Sequence, residues 1–345
     1  MAANEEVKSG KDAGRLSRRK LIIFRLMALL IAFVLIVVVL ECAARIYVYS
    51  VVRRGHLYRT DSRLGYSLLP DLSIRRRRSD GGLYTITTDS NGYRIASSEE
   101  GRQSDVWVPD ASRKVLILGD SFAEALVNVE DRLDRVMTEK SPDWCVRMFG
   151  CAGWGPDQEL LFGERFFGDL NRGDFLVLLT CDNDFADLLR HHHSGRAKPY
   201  FTRQGDELIE HPPEIGMREW LREKSYLAAF VILKTNPTRR DFSDEEIAES
   251  KELFIELIRS RTRPLSEKGV TIVVAHHIDW KVEGIEEVFA RLEEFESIHC
   301  LAMDEQIGRH TPDNLNLLPC GHWNETGNET VADVLLSFLM ELAGD

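Results

Sequence analysis

Five short, nearly continuous apolar runs constrain this chain most: KVLILG (114–119), CVRMFG (145–150), FLVLLTC (175–181), VTIVVAH (270–276) and IHCLAMD (298–304). Unbroken hydrophobicity over so few residues suits strands buried on both faces, as in a parallel sheet. Helical patterns lie between the runs. One spans 244–261 and opens with a capping box at Ser243 and Glu246; another spans 284–296. Alternating β and α elements predict a three-layer α/β/α domain with right-handed crossovers over residues 112–345. Residues 191–242 break the rhythm. They carry LREKSYLAAFVILK, an amphipathic helix pattern, and read as an insertion that forms a lid or side wall.

A second constraint lies upstream. From Leu21 to Leu40 only Arg25 interrupts an apolar run, and about twenty such residues cross a hydrocarbon core of roughly 30 Å. Arg25 sits one turn in, where its stem can snorkel to the headgroups. A lipoprotein signal is disfavoured by Glu41 before Cys42, and Cys42-Ala43-Ala44 makes only a passable cleavage site after so long a core. The reading taken is an uncleaved signal anchor over 21–44. Arg15, Arg18, Arg19 and Lys20 crowd its front and predict a cytoplasmic tail (1–20) and an extracytoplasmic, periplasmic body; Arg45, Arg53 and Arg54 pull the other way. Residues 45–111 are polar and turn-rich, with LYTITTDSNGYRI turning at Asn91-Gly92, and predict a small β-rich appendage. The run Arg75 to Arg78 reads as a solvated or internally paired charge run in preference to a lipid-headgroup site.

Charge divides the same way. Residues 1–80 hold 16 Lys and Arg against 7 Asp and Glu, so the remainder is strongly acidic although the whole chain is only −12. An acidic main domain excludes nucleic acid as the expected partner. The six cysteines have no metal-ligand spacing, so neither a zinc site nor another metal is expected.

In a parallel α/β sheet ligands bind beyond the carboxyl ends of the strands, so the loop after each run is where chemistry is sought. After the first comes Gly119-Asp120-Ser121-Phe122. Ser121 on a strand-to-helix turn offers a hydroxyl, and its own N–H can face an oxyanion; Asp and Ser are also ordinary helix caps. GCAGWGPDQE follows the second run, and Gly153 could lend an amide to an oxyanion or only make a tight turn. The third run leads into Cys181-Asp182-Asn183-Asp184, where the Asn183 NH2 group is an oxyanion donor or a turn former. Near the C-terminus His322, in GHWN, precedes a last amphipathic helix and is placed to act as a general base or as a structural histidine. HHH at 191–193 reads as a surface loop, and His276 and His277 as core residues at a strand end.

Together GDSF, GCAGWG, DND and GHWN, in that order, resemble the four signature blocks of the SGNH/GDSL hydrolase superfamily over roughly residues 112–345. Glu41 and Arg45 at the end of the apolar helix and the later NGYR element are similar to features of its membrane-anchored bacterial members. The resemblance implies a flavodoxin-like fold and no cofactor. It also implies Ser121 as nucleophile, His322 as base, and an oxyanion hole of Ser121 N–H, Gly153 N–H and the Asn183 side chain. One departure stands out: the family's Asp two or three residues before the histidine is replaced by Pro319 and Cys320. A carbonyl or a remote carboxylate such as Asp313 then orients His322, a Ser–His dyad works alone, or catalysis has been lost. Asp120, Trp154, Asp184, Cys320 and Trp323 are candidate pocket residues, and Cys151, Cys181 and Cys320 could cluster around the site.

Two functions follow as expectations. One is a bilayer-anchored serine esterase or O-acyltransferase acting on an acylated envelope polysaccharide or lipid. The other is a non-catalytic module of the same fold that binds an envelope glycan or assembly partner.

Overall fold

The computed structural model describes residues 18–47, 57–96, 107–108, 110–205, 207–235, 242–277, 284–303, 307 and 317–344. Arg15, Arg53, Arg54, Asp313 and the last residue of the fifth apolar run lie outside the described residues.

Helix α1 (Arg18–Tyr47) is long and apolar enough to cross a membrane, and none of its residues is buried. Strands β1 (Tyr58–Asp61) and β2 (Gly65–Leu68) form an antiparallel hairpin. Strands β3 (Ser73–Arg77), β4 (Leu83–Thr88) and β5 (Arg94–Ile95) form a three-stranded antiparallel sheet. Within the arginine run Arg76 and Arg78 are half-buried, and Arg78 pairs with Asp80 and Glu325, while Arg75 and Arg77 are exposed. That alternation is the strand's own two-residue period.

The main domain then runs β6 (Arg113–Gly119), the single turn α2 (Ser121–Glu124), α3 (Leu133–Lys140), β7 (Trp144–Gly150), α4 (Pro156–Gly163), β8 (Phe175–Cys181) and α5 (Asn183–Leu188). Two hairpins follow, β9 (His192–His193) with β10 (Arg196–Ala197) and β11 (Tyr200–Gln204) with β12 (Glu207–His211). Helices α6 (Met217–Lys224), α7 (Tyr226–Thr235) and α8 (Asp244–Lys268) lead to β13 (Thr271–His277). The chain closes with α9 (Ile285–Leu292), β14 (Ile298–Ala302) and α10 (Glu325–Ala343).

All five apolar runs are strands of one parallel sheet, in the order β14-β13-β8-β6-β7. Numbered along the chain this is 2-1-3-4-5, the flavodoxin-like doubly wound order, whose switch point falls between β6 and β8. Alternate residues serve opposite faces. Val115, Ile117, Val177, Leu179, Val273 and Ala275 pack against α3 and α10. Leu116, Leu118, Leu176, Leu178, Ile272 and Val274 pack against α4, α5, α8 and α9. Leu64 and Tyr66 of the hairpin region join the second of these cores, which fastens the appendage to the domain.

Two helices differ from the sequence reading. Helix α8 continues past Arg261 and through Pro264 to Lys268, because Thr262 and Leu265 prolong its buried stripe; it ends at Gly269 with φ 81°. The expected single helix in LREKSYLAAFVILK is two, because Ser225 is extended (φ −134°, ψ 123°) and caps α7, its Oγ accepting from Ala228 N at 3.0 Å.

The turn after β6 sits tight against β7. A Cβ on Gly150 would lie 2.5 Å from Ala123 Cβ and 2.6 Å from the Gly119 carbonyl oxygen, and the latter cannot yield without moving the strand. Gly150→Ala is expected to lower stability by about 1–3 kcal/mol through overpacking and to displace Ser121. Urea unfolding of the full chain in detergent measures it; an unchanged midpoint contradicts the close approach.

Candidate active site

At the carboxyl end of β6 the chain reverses into α2, and Asp120 caps it by accepting from Phe122 N at 2.9 Å. The cap does not preclude chemistry at Ser121. Ser121 Oγ donates to Asp120 Oδ2 at 3.1 Å and lies 2.8 Å from His322 Nε2, although 201 residues separate the two in sequence. His322 is held by a tight turn: Leu318 N donates to its carbonyl at 2.7 Å, and Gly321, at φ 86°, reverses the chain. Asn324 caps α10 immediately after, accepting from Gly327 N at 2.8 Å. The imidazole stacks on Phe122, with ring centroids 5.0 Å apart, and Phe122 in turn meets Trp323 and His277.

The His322 Nδ1 atom is buried and finds no hydrogen-bond partner among the described residues. Pro319 and Cys320, where an acid was expected, are exposed on the turn. Which ring nitrogen carries the proton is normally set by what the other nitrogen binds. Here Asp120 and His322 both face the single Ser121 hydroxyl proton. Burial raises the Asp120 carboxyl from its ordinary value against the hydrogen bonds from the Phe122 and Ser121 amides.

Gly153 follows β7 with φ 79°, and a Cβ there would lie 2.3 Å from the His193 ring. Tyr66 Oη donates to the Gly153 carbonyl at 2.6 Å and reaches the Ala152 carbonyl at 3.3 Å. In a trans peptide the N–H points opposite its carbonyl, so the Ala152 contact turns the Gly153 N–H away from Tyr66. Asn183 opens α5 after β8. One N–H of its amide donates to Asp187 Oδ2 at 2.8 Å, and Cys181 Sγ donates to its Oδ1 at 2.7 Å. Those two bonds fix which end of the amide is nitrogen and leave the second N–H of Nδ2 for a ligand.

Asp187 is thus the positioning residue for Asn183, four residues on along the same helix. Burial would raise its carboxyl, but His193, Lys198 and Arg190 outweigh that and hold it at about 2. The Lys198 ammonium, fully buried, lies 2.9 Å from Asp157 and donates to the Asp187 carbonyl at 2.6 Å. His193 Nδ1 is 3.5 Å from Asp187. The triple histidine is therefore not a plain surface loop: His191 stacks on Tyr200, while His193 packs against Gly153.

Arg94, of the NGYR element, is half-buried and threads its guanidinium among the carbonyls of Thr85, Glu124, Ala125 and Val127. Burial lowers it to about 10, which leaves it charged at neutral pH. Ala125 ends α2 at φ 59°, a conformation costly for a residue with a Cβ, and Arg94 bonds the carbonyls on both sides of it. Glu124, from the same turn, accepts from Tyr58 Oη at 3.0 Å and from Ala152 N at 2.8 Å. The loops after β6 and β7 are joined to the appendage by these contacts.

Below the site lies a cluster of buried acids. Glu159 is fully buried with both carboxyl oxygens unpartnered among the described residues, and burial, reinforced by Asp184, Asp120 and Asp157, pushes it well above the carboxylate range. Asp184 accepts from Cys181 N at 2.8 Å and is also pushed well up, by burial and by Asp120. Burial thus favours the neutral form of both groups. His276, at the end of β13, bridges Thr180 Oγ1 (3.0 Å) and Asp182 (2.9 Å), so it ties two strand ends together in the core. Trp154 is core, with Nε1 donating to the Tyr66 carbonyl at 3.0 Å. All six cysteines are free; Cys181 lies at Asn183, Cys151 is buried and Cys320 is exposed.

No family model matches the chain, and no curated protein matches it. Solved structures do. A member of the lipolytic G-D-S-L family from Veillonella parvula is 12% identical, covers 66% of this chain and 97% of its own, and superposes with a TM-score of 0.37. A GDSL-like lipase from Bacteroides thetaiotaomicron is 11% identical over 69% of this chain and 93% of its own, with a TM-score of 0.38. A Bacillus subtilis protein is 14% identical over 81% of this chain and 80% of its own, with a TM-score of 0.40.

Two substitutions probe the charges. Because the Asp187 carboxyl is depressed from 3.8 to about 2 on folding, its stabilisation is complete above its unfolded value and is lost as pH falls through the folded one. Asp187→Asn should cost about 2 kcal/mol at pH 7, with the gap to wild type closing as pH falls from about 4 toward 2 in urea titrations. Glu159 has the opposite sign: folding takes up a proton, so wild type loses stability as pH rises above the ordinary glutamate range. Glu159→Gln should match wild type near pH 4 and exceed its melting temperature at pH 8; a variant no more stable at pH 8 contradicts a buried neutral acid.

Proposed function

We propose that the protein is a membrane-anchored serine hydrolase of the SGNH/GDSL type, cleaving or transferring an O-acyl group on an envelope carbohydrate or lipid. The observation that carries the reading is the 2.8 Å approach of His322 Nε2 to Ser121 Oγ at the switch point of the sheet.

In the proposed reaction Ser121 Oγ attacks the acyl carbonyl carbon while its proton passes to His322 Nε2. Negative charge develops on the carbonyl oxygen and is met by Ser121 N–H, Gly153 N–H and the second N–H of Asn183. The imidazolium then returns its proton to the leaving alkoxide, and an acyl-serine remains. Water, or an acceptor hydroxyl in transfer, attacks that ester with His322 again as base. Asp187 acts through Asn183 by fixing its amide. No carboxylate among the described residues bonds Nδ1, so the scheme is a Ser–His dyad whose imidazolium lacks the usual acid. The anchor reading places α1 in the inner membrane with the domain on the extracytoplasmic side.

The unpartnered Nδ1 also favours a second reading, a binding module of the same fold without turnover. A fluorophosphonate probe and an aryl acetate separate the two with the full chain in detergent. The hydrolase reading expects labelling that Ser121→Ala abolishes. It also expects turnover that drops at least about 10³-fold in His322→Ala and about 10²-fold in Asn183→Ala. Folded protein that neither labels nor turns over leaves only the binding module, and turnover unchanged in Ser121→Ala overturns Ser121 as the nucleophile.

A further inference from the structure

Helix α7, YLAAFVILKT, is ten residues of almost unbroken apolar sequence in which none of the described side chains is buried. Phe230 and Val231 are exposed on it, and Met217, Trp220, Leu221 and Ile215 are exposed on and just before α6. At ~1.5 Å per residue α7 is about 15 Å long, half a bilayer core, so it cannot span one. A soluble face of this composition needs a cover.

The cover is indicated by what α7 touches. Glu41 of α1 accepts from Tyr226 N at 3.0 Å, Leu227 N at 2.9 Å and Ser225 Oγ at 2.7 Å, so it caps α7 from another helix. Its fourth donor is Arg45 Nε at 2.9 Å, and the Arg45 guanidinium also lies over the Tyr226 ring. A carboxylate at the end of an apolar span is costly unless fully bonded, and this one has four donors. Along α1 the stripe Val37, Glu41 and Ala44 is less exposed than its neighbours; Val37 is 39% exposed against 52% for Val38 and 65% for Val39. The spacing of three and four residues marks one helix face, and it extends from Glu41 back into the apolar run. Helix α7 therefore lies along the membrane end of α1.

We infer that α6 and α7 insert into the surface of the same lipid bilayer that α1 crosses, with Glu41 as the clasp. The inference rests on the anchor reading of α1 and adds a second, non-spanning membrane element. Trp220 is the interfacial aromatic, and Arg218, Lys224 and Lys234 are the flanking cations. The contact reaches the candidate site: Arg222, two residues beyond Trp220, donates to the Ser194 carbonyl at 2.7 Å, next to His193 on Gly153. A bilayer-seated α6 would thereby hold the site at a fixed height above the lipid.

The test uses the full chain in vesicles of phosphatidylcholine and phosphatidylglycerol, with or without brominated acyl chains. Carbonate-resistant flotation reads the anchor, and bromine quenching of tryptophan reads α6. The expected result is flotation together with quenching, at least about half of which disappears in Trp220→Phe. In Glu41→Ala, which removes the acceptor for the Tyr226 and Leu227 amides and leaves only the Ser225 cap on α7, flotation should persist while Trp220 quenching falls about twofold. Protein that floats but shows equal quenching in wild type and Trp220→Phe overturns the inference and leaves the anchor standing; the face is then covered by a second copy or another protein. Protein that does not float overturns the anchor reading and this inference with it.

Discussion

The buried guanidinium of Arg94 is the contact on which the candidate site depends. Ser121 stands on a one-turn helix that ends in a residue at positive φ, and neither a single helical turn nor such a residue is stable by itself. Arg94 supplies charge-assisted hydrogen bonds to the carbonyls on both sides of Ala125 and a third two residues on. Its desolvation is offset only because several acceptors converge on it. The turn is thus shaped from outside the sheet that presents it.

The doubly wound order sets the rest. Since β6 lies between β7 and β8, the loops after those three strands open onto one crevice, and Ser121, Gly153 and Asn183 arrive there from different parts of the chain. His322 comes from the start of the last helix and reaches Ser121 over Phe122. The tension in the arrangement is protonic. Asp120 caps α2 and also accepts from the Ser121 hydroxyl, so Asp120 and His322 compete for one proton, with nothing described at Nδ1 to favour the imidazole. Burial biases Glu159 and Asp184 toward the neutral form and so limits the negative charge gathered beside the crevice.

The sheet was legible because burial on both faces leaves an unbroken apolar record, and each observed strand lies within a residue or two of its run. Ser121, Gly153 and Asn183 stood out in the sequence because short polar motifs follow three of those runs, and His322 because it precedes the last helix. The supporting contacts did not. The NGYR element drew notice to Arg94 and HHH to His193, but the carbonyl contacts of Arg94 and Tyr66 and the packing of His193 on Gly153 arise only on folding and leave no pattern in sequence. Asp187 could have been found, since its place four residues after Asn183 on a helix puts the two side chains together. Ser225 broke a helix that periodicity alone extended, because the acceptor that rewards the break, Glu41, lies 184 residues away.

Tyr58, Tyr66 and Arg94 all precede the first strand of the parallel sheet, yet they fix the peptides on which Ser121 and Gly153 depend. The unit that folds as an α/β sandwich and the unit that holds the candidate site in shape are therefore not the same length. A genetic exchange that joined a new upstream segment at Arg113 would transplant the sheet intact and leave the turn at Ser121 unsupported. Descent of this candidate site has to carry the small antiparallel sheets along with it.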